Sequence, residues 1–161
     1  ALHAIRYGAV HVEGVDISAD AIALASSNAA LNGMEARCTF TEANVFDHLA
    51  AASRERKRWD VIVLDPPAFA KNKVALAQAL RGYKEINLRA MKCLPPGGFL
   101  VTCSCSFHVS DTTFRNVIAD AAADAGRKLR EIYCGQQPPD HPVHWAVPET
   151  RYLKCLILEV L

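Results

Sequence analysis

The chain has 161 residues, 51% hydrophobic and 22% charged, enough for one globular domain with a sizeable core. A net charge of +1 excludes a chain that binds nucleic acid by overall charge, so any basic surface has to come from local distribution. No apolar run reaches the length of a bilayer span, and six cysteines at irregular spacing read as reduced thiols, not as a disulfide framework. Cys103 and Cys105 have no second close Cys or His pair, so no metal site is expected.

In chain order, residues 10–17 (VHVEGVDI) predict a strand ending at Asp16. Residues 19–31 are Ala-rich and helical, with Ser18 as N-cap and Asn32-Gly33 as the stop. A second strand is expected over 36–42 and a helix over 47–56. Residues 59–64 form a short apolar run, read as a buried parallel strand. A long helix over 75–94 ends at Pro95-Pro96-Gly97-Gly98, and residues 99–105 form the next strand. A helix over 111–125 stops at Gly126; two last strands, 128–134 and 152–160, flank a Pro-rich loop. Strands alternating with helices predict an α/β fold with a mostly parallel, Rossmann-like sheet in a single domain. The last connection holds no helix, so the final strand pair is expected to be antiparallel.

Ligands of such sheets sit beyond the carboxyl ends of the strands, where Asp16, Asn44, Asp65 and Cys105 all fall. Asp16, with Ile17 beside it, suits the ribose hydroxyls of a nucleoside cofactor, or caps the helix with Ser18. Asn44 suits an adenine edge with Val45 against the ring, or starts the next helix. In Asp65-Pro66-Pro67-Ala68-Phe69, two prolines remove two backbone donors and fix two φ angles. A carboxylate and carbonyls then line a rigid turn, and Phe69 either stacks on a base or packs in the core. Period-two alternation sets Cys103 and Cys105 on one side of their strand and cannot choose between them. Cys38, Cys93, Cys134 and Cys155 read as inert small hydrophobes. Residues 71–92 carry Lys71, Lys73, Arg81, Lys84, Arg89 and Lys92 against Glu85, a local charge of +5. That cluster can hold phosphates, although Arg89 and Lys92 read better as a solvated helix face. His108, His141 and His144 read as structural or solvated.

VDIS, the DPPAF turn, RGYKEIN (81–87), TCSCS and the PETRYLKCLIL end together resemble the SAM-dependent methyltransferases that make 5-methylcytosine in large-subunit ribosomal RNA. The resemblance spans essentially the whole chain. It implies S-adenosylmethionine as cofactor, held by Asp16, Ile17, Asn44, Val45, Asp65 and Pro66. It implies ribosomal RNA as partner, with Pro67, Phe69 and Lys71 at the substrate. Counted from the Gly97-Gly98 pair, the family's nucleophile position falls on Cys105 rather than Cys103. A second Cys found in many relatives after the D-x-P turn is here Ala68. The family's first strand and Gly-rich loop have no counterpart, so a C-terminal fragment is expected, the absent strand lying between those ending at Asp16 and Asp65. A cytoplasmic place is expected, no membrane is involved, and the oligomeric state is open, a homodimer included.

The implied chemistry begins with Cys105 attacking C6 of an unstacked cytosine while Asp65 serves N3. Free thiols titrate near 8.5, so the site has to favour the thiolate, and burial is expected to hold the Asp65 proton. Three other readings compete. A methyltransferase acting on an exocyclic amine such as guanine N2 needs no Cys105, but its turn places the aromatic directly after the second proline, where this chain has Ala68. A non-catalytic RNA-binding remnant would not need both Asp65 and Cys105. A Rossmann dehydrogenase finds no hydride-transfer residues here.

Overall fold

The computed structural model describes residues 1–69 and 75–161. The chain divides into two compact units, Ala1–His48 and Leu49–Leu161.

In the first unit, α1 (Leu2–Arg6) leads to β1 (Val12–Asp16), then α2 (Ala19–Leu31), a short 3-10 turn and β2 (Cys38–Glu42). The two strands pair in parallel from Val12 opposite Cys38 to Asp16 opposite Glu42, and α2 packs on both. Gly14 lies opposite Phe40, and a Cβ there would meet the phenyl ring at 2.8 Å, so only glycine lets the ring lie over β1. Ser18 caps α2 by accepting from Ala21 N–H, as expected. Helix α3 (Val45–Arg54) begins two residues earlier than the sequence suggested, because Asn44, not Asp47, supplies the first side-chain acceptor.

The second unit contains β3 (Val61–Leu64), α4 (Leu76–Lys92), β4 (Phe99–Ser104), α5 (Asp111–Ala125), β5 (Leu129–Gly135) and β6 (Lys154–Val160). Its sheet runs β3-β4-β6-β5, with β3 parallel to β4 and β6 antiparallel to both neighbours. The expected antiparallel end is therefore present, with β6 threaded between β4 and β5. Among the described residues β1 and β3 belong to separate sheets. The reading of β3 as a parallel strand holds, but its expected burial is corrected: among the described residues it pairs on one side only, and Val61 and Val63 are 53% and 64% exposed.

Helices α4 and α5 pack together and α4 also packs on β3 and β4, with Tyr83, Ile86, Met91, Phe114 and Leu100 among the buried side chains. Gly97 takes a φ of +81°, its N–H donates to Val160, and the chain turns into β4. Ser110 caps α5 and Gly126 ends it in the left-handed region; such an N-cap is worth about 1 kcal/mol. A bulge between Glu131 and Tyr133 shifts the β5 register. No described helix is long and apolar enough to cross a membrane.

Candidate active site

In the first unit, Asp16 closes β1 and Asn44 follows β2 by two residues. Ala43 N–H donates to the Asp16 carbonyl at 2.9 Å, so the two strand ends lie side by side. Asp16 Oδ1 accepts from Ser18 N–H at 2.8 Å, and Asn44 Oδ1 accepts from Phe46 N–H at 2.9 Å. Both residues thus serve their own turns, which leaves the second Asp16 oxygen and the Asn44 amide N–H groups for a ligand. Ile17 is 72% exposed, and Val45 is half-buried at the start of α3. A carboxylate, an amide donor and apolar surface at adjacent parallel strand ends fit the ribose and adenine of a nucleoside.

In the second unit, Asp65 is the first residue after β3 and Cys105 the first after β4, at the same end of a parallel pair. Pro66 and Pro67 carry no N–H, so the chain leaves the ladder after Leu64. The Cys105 thiol donates to the freed carbonyl of Pro66 at 3.9 Å. Asp65 and Pro67 are exposed, while Pro66 and Cys105 are half-buried. The expected burial of Asp65 is not observed; the residue is exposed just past the end of β3.

Burial separates the two cysteines that periodicity left tied. Cys103 lies inside β4 opposite Cys155 and is buried. Burial foremost, then a hydrogen bond to Cys155 and the nearby charges of Cys155, Asp65 and Cys105, push its thiol up to about 12. A thiol so placed stays protonated at neutral pH and is a poor nucleophile. Cys105 lies past the last paired residue, Ser104, and is half-buried rather than buried.

Tyr83, from the RGYKEIN segment, joins these parts. Its hydroxyl accepts from Ser104 Oγ at 3.0 Å and meets Ser106 Oγ at 3.0 Å, so both neighbours of Cys105 are tied to one fully buried phenol. The ring lies 4.7 Å from Phe69 and edge-on to Phe114 at 5.5 Å. Asn87 Nδ2 donates to the Tyr83 carbonyl at 2.8 Å. Gly82 leaves room for Phe69, since a Cβ there would come within 3.3 Å of the ring. Of the two readings of Phe69, the one visible in the structure is packing: the half-buried ring props the DPPAF turn on α4. Replacing Tyr83 by phenylalanine keeps the ring but removes the hydroxyl that both serines meet. The expected cost is about 1–3 kcal/mol, read as a lower urea midpoint at unchanged m-value. An unchanged midpoint would remove Tyr83 as the tie.

The basic cluster is weaker than its count suggested. Lys84 pairs with Asp124 at 2.8 Å and Arg89 with Glu85 at 2.5 Å, which leaves Arg81 and Lys92 of the described members. Lys71 and Lys73 lie outside the described residues. The reading of Cys134 as an inert buried residue is corrected. It is exposed on the edge strand β5, where Arg115 donates to its sulfur at 3.1 Å. Cys93 is buried as expected, whereas Cys38 and Cys155 are only half-buried. Sequence reasoning assigned no role to Tyr83, Ser104, Ser106 or Lys154; RGYKEIN and YLKCL marked two of them only through resemblance.

An α/β sheet closed by an antiparallel strand, with polar groups at its parallel strand ends, is the Rossmann-like fold of class I methyltransferases, whose cofactor is S-adenosylmethionine. Residues 2–147 match the model of the methyltransferase domain, and the chain belongs to that family. It is similar to ribosomal RNA large subunit methyltransferase I of Shewanella denitrificans, 46% identical over 160 residues covering 99% of this chain and 40% of that protein. The Vibrio cholerae protein of the same name is 44% identical over 163 residues, covering 99% of this chain and 41% of its own length. The chain thus spans about two fifths of the curated relatives it matches. A solved Streptococcus mutans protein described as a SAM-dependent methyltransferase shares the fold, with a TM-score of 0.83, 22% identity, and 98% of this chain and 40% of that one covered.

Proposed function

We propose that the protein methylates C5 of a cytosine in large-subunit ribosomal RNA through a covalent bond between Cys105 and C6. The observation that carries the proposal is the accessible Cys105 thiol against the Pro66 carbonyl, one residue from Asp65, while Cys103 is sequestered in the sheet. Methylation of an exocyclic amine needs no thiol in that place. The name shared by the Shewanella denitrificans and Vibrio cholerae relatives supports ribosomal RNA as substrate.

We assign the nucleoside of the cofactor to Asp16, Ile17, Asn44 and Val45. When bound, S-adenosylmethionine supplies the methyl group as an electrophile. Cys105 attacks C6 as the thiolate, the C5–C6 double bond shifts its electrons through the ring, and Asp65 gives a proton to N3. C5 is then nucleophilic. After methylation, a base such as water takes the C5 proton, its electron pair re-forms the C5–C6 double bond as the C6–S bond breaks to free the Cys105 thiolate, and N3 returns its proton to Asp65. Pro67, exposed beside Asp65, offers a face to the base; Phe69 fixes the turn and Lys71 is assigned to the RNA backbone. A base settled over this turn would cover Asp65, supplying on binding the desolvation that the free protein lacks.

Trapping with RNA that carries 5-fluorocytosine tests the reading. Fluorine at C5 leaves no proton to remove, so with S-adenosylmethionine present a protein–RNA adduct resistant to denaturant is expected, mapping to Cys105. Absence of adduct in a protein that binds the cofactor and methylates unmodified RNA would favour an amine target.

A further inference from the structure

Lys154 is a half-buried cation without an anionic partner. It opens β6 opposite Ser104, the residue before Cys105. Its ammonium donates to the Ser106 carbonyl at 2.6 Å and to the Val109 carbonyl at 2.8 Å. Among the described residues no carboxylate lies within ion-pair distance of it. Partial burial pulls its pKa below the ordinary lysine value, and the nearby Cys105 and Asp111 charges work against that pull. Two neutral carbonyls compensate only in part for water lost from an ammonium. A placement with that cost calls for a role beyond packing.

Both carbonyls belong to the turn that leaves Cys105. Val109 N–H donates to Ser106 at 3.1 Å, closing the turn, and Tyr83 holds the Ser106 hydroxyl. Ser106 is therefore gripped by its side chain from α4 and by its carbonyl from β6, and Ser104 is gripped by Tyr83 and by strand pairing. Cys105 lies between two fixed residues. We infer that Lys154 is a positioning residue for Cys105: it draws the Ser106 and Val109 carbonyls together, aims the sulfur toward the Pro66 turn, and puts a positive charge beside it for the attack. The inference rests on the proposed nucleophilic role of Cys105. The charges of Cys105 and Asp111 act on Lys154, and those of Asp65, Cys155 and Cys105 on Cys103.

The test compares the intact protein with its Lys154→Arg, Lys154→Met and Lys154→Gln variants. Arginine keeps charge and donors, methionine keeps only volume, and glutamine keeps amide N–H donors without charge if methionine does not fold. Labelling of Cys105 by iodoacetamide at fixed pH, resolved by peptide mass spectrometry with exposed Cys134 as internal reference, needs no RNA. It is expected to fall about tenfold in Lys154→Met, less in Lys154→Gln, and to stay within about twofold in Lys154→Arg. Single-turnover methylation should fall in the same order with KM for RNA unchanged. Equal labelling in all variants overturns the inference even where the wild-type protein forms the fluorocytosine adduct. A raised KM for RNA at unchanged rate also overturns it, by assigning Lys154 to phosphate. Lysine-dependent labelling in a protein that binds the cofactor and methylates unmodified RNA, yet forms no adduct, would sink C5 chemistry and leave Lys154 only as a residue that sets the reactivity of Cys105.

Discussion

Replacing Cys105 by alanine is expected to lower methyl transfer by at least about 10³-fold while S-adenosylmethionine still binds. The magnitude follows from the proposed role: without the C6 adduct, C5 of a cytosine is not nucleophilic enough to accept the methyl group, and no group among the described residues is placed to substitute for the sulfur. Cys103 is the nearest candidate, but it is buried in β4 with its thiol pushed up to about 12, chiefly by burial. The fold should tolerate the change, because Cys105 is only half-buried and lies beyond strand pairing. Cys103→Ala should behave in the opposite way. It removes a buried sulfur and costs about 1 kcal/mol of stability, yet leaves turnover within a few-fold. Single-turnover assays with radiolabelled methyl groups, beside urea melts of both variants, make the comparison. A Cys105→Ala protein that turns over normally, or a Cys103→Ala protein that does not, would reverse the assignment.

What the sequence made legible follows the range over which each signal acts. Helices α2 and α5 match their expected bounds because local residues close them: Ser18 and Ser110 cap the starts, and Gly126 reaches the left-handed region at the end of α5. Strand bounds were read one or two residues too wide at 10–17, 59–64 and 152–160. Apolar composition marks extended chain, whereas pairing depends on a partner far away in sequence. The strand-end placement of Asp16, Asn44, Asp65 and Cys105 was legible, since the end of an apolar run and the end of a ladder nearly coincide in a parallel sheet. The ties between elements were not. Tyr83 meets serines 21 and 23 residues on, and Lys154 reaches back 48 residues to Ser106. Nor could local charge counting see that Asp124, on another helix, neutralises Lys84. Cys134 was misread for a similar reason: its apolar neighbours suggest a core strand, but β5 is the sheet edge and carries a bulge.

Asp65→Asn is expected to slow methyl transfer by about 10²–10⁴-fold, with little change in KM for RNA. Asparagine keeps the shape of the turn and a hydrogen-bond donor toward N3, so the base should still settle there. What it lacks is a transferable proton. When sulfur attacks C6, negative charge develops along the ring toward N3, and an amide can solvate that charge without neutralising it. The loss should therefore appear at the attack itself, before any methyl group moves. Trapping with 5-fluorocytosine RNA separates this from a later role, because the adduct forms at the attack step and survives the missing elimination. If Asp65 serves N3, adduct formation in Asp65→Asn slows as much as turnover does. Adduct accumulating at the wild-type rate while normal RNA is methylated slowly would move Asp65 to the removal of the C5 proton. Its exposed position after β3 and the two prolines that hold it there favour the first outcome. The turn sets Asp65 immediately before the Pro66 carbonyl that the Cys105 thiol meets.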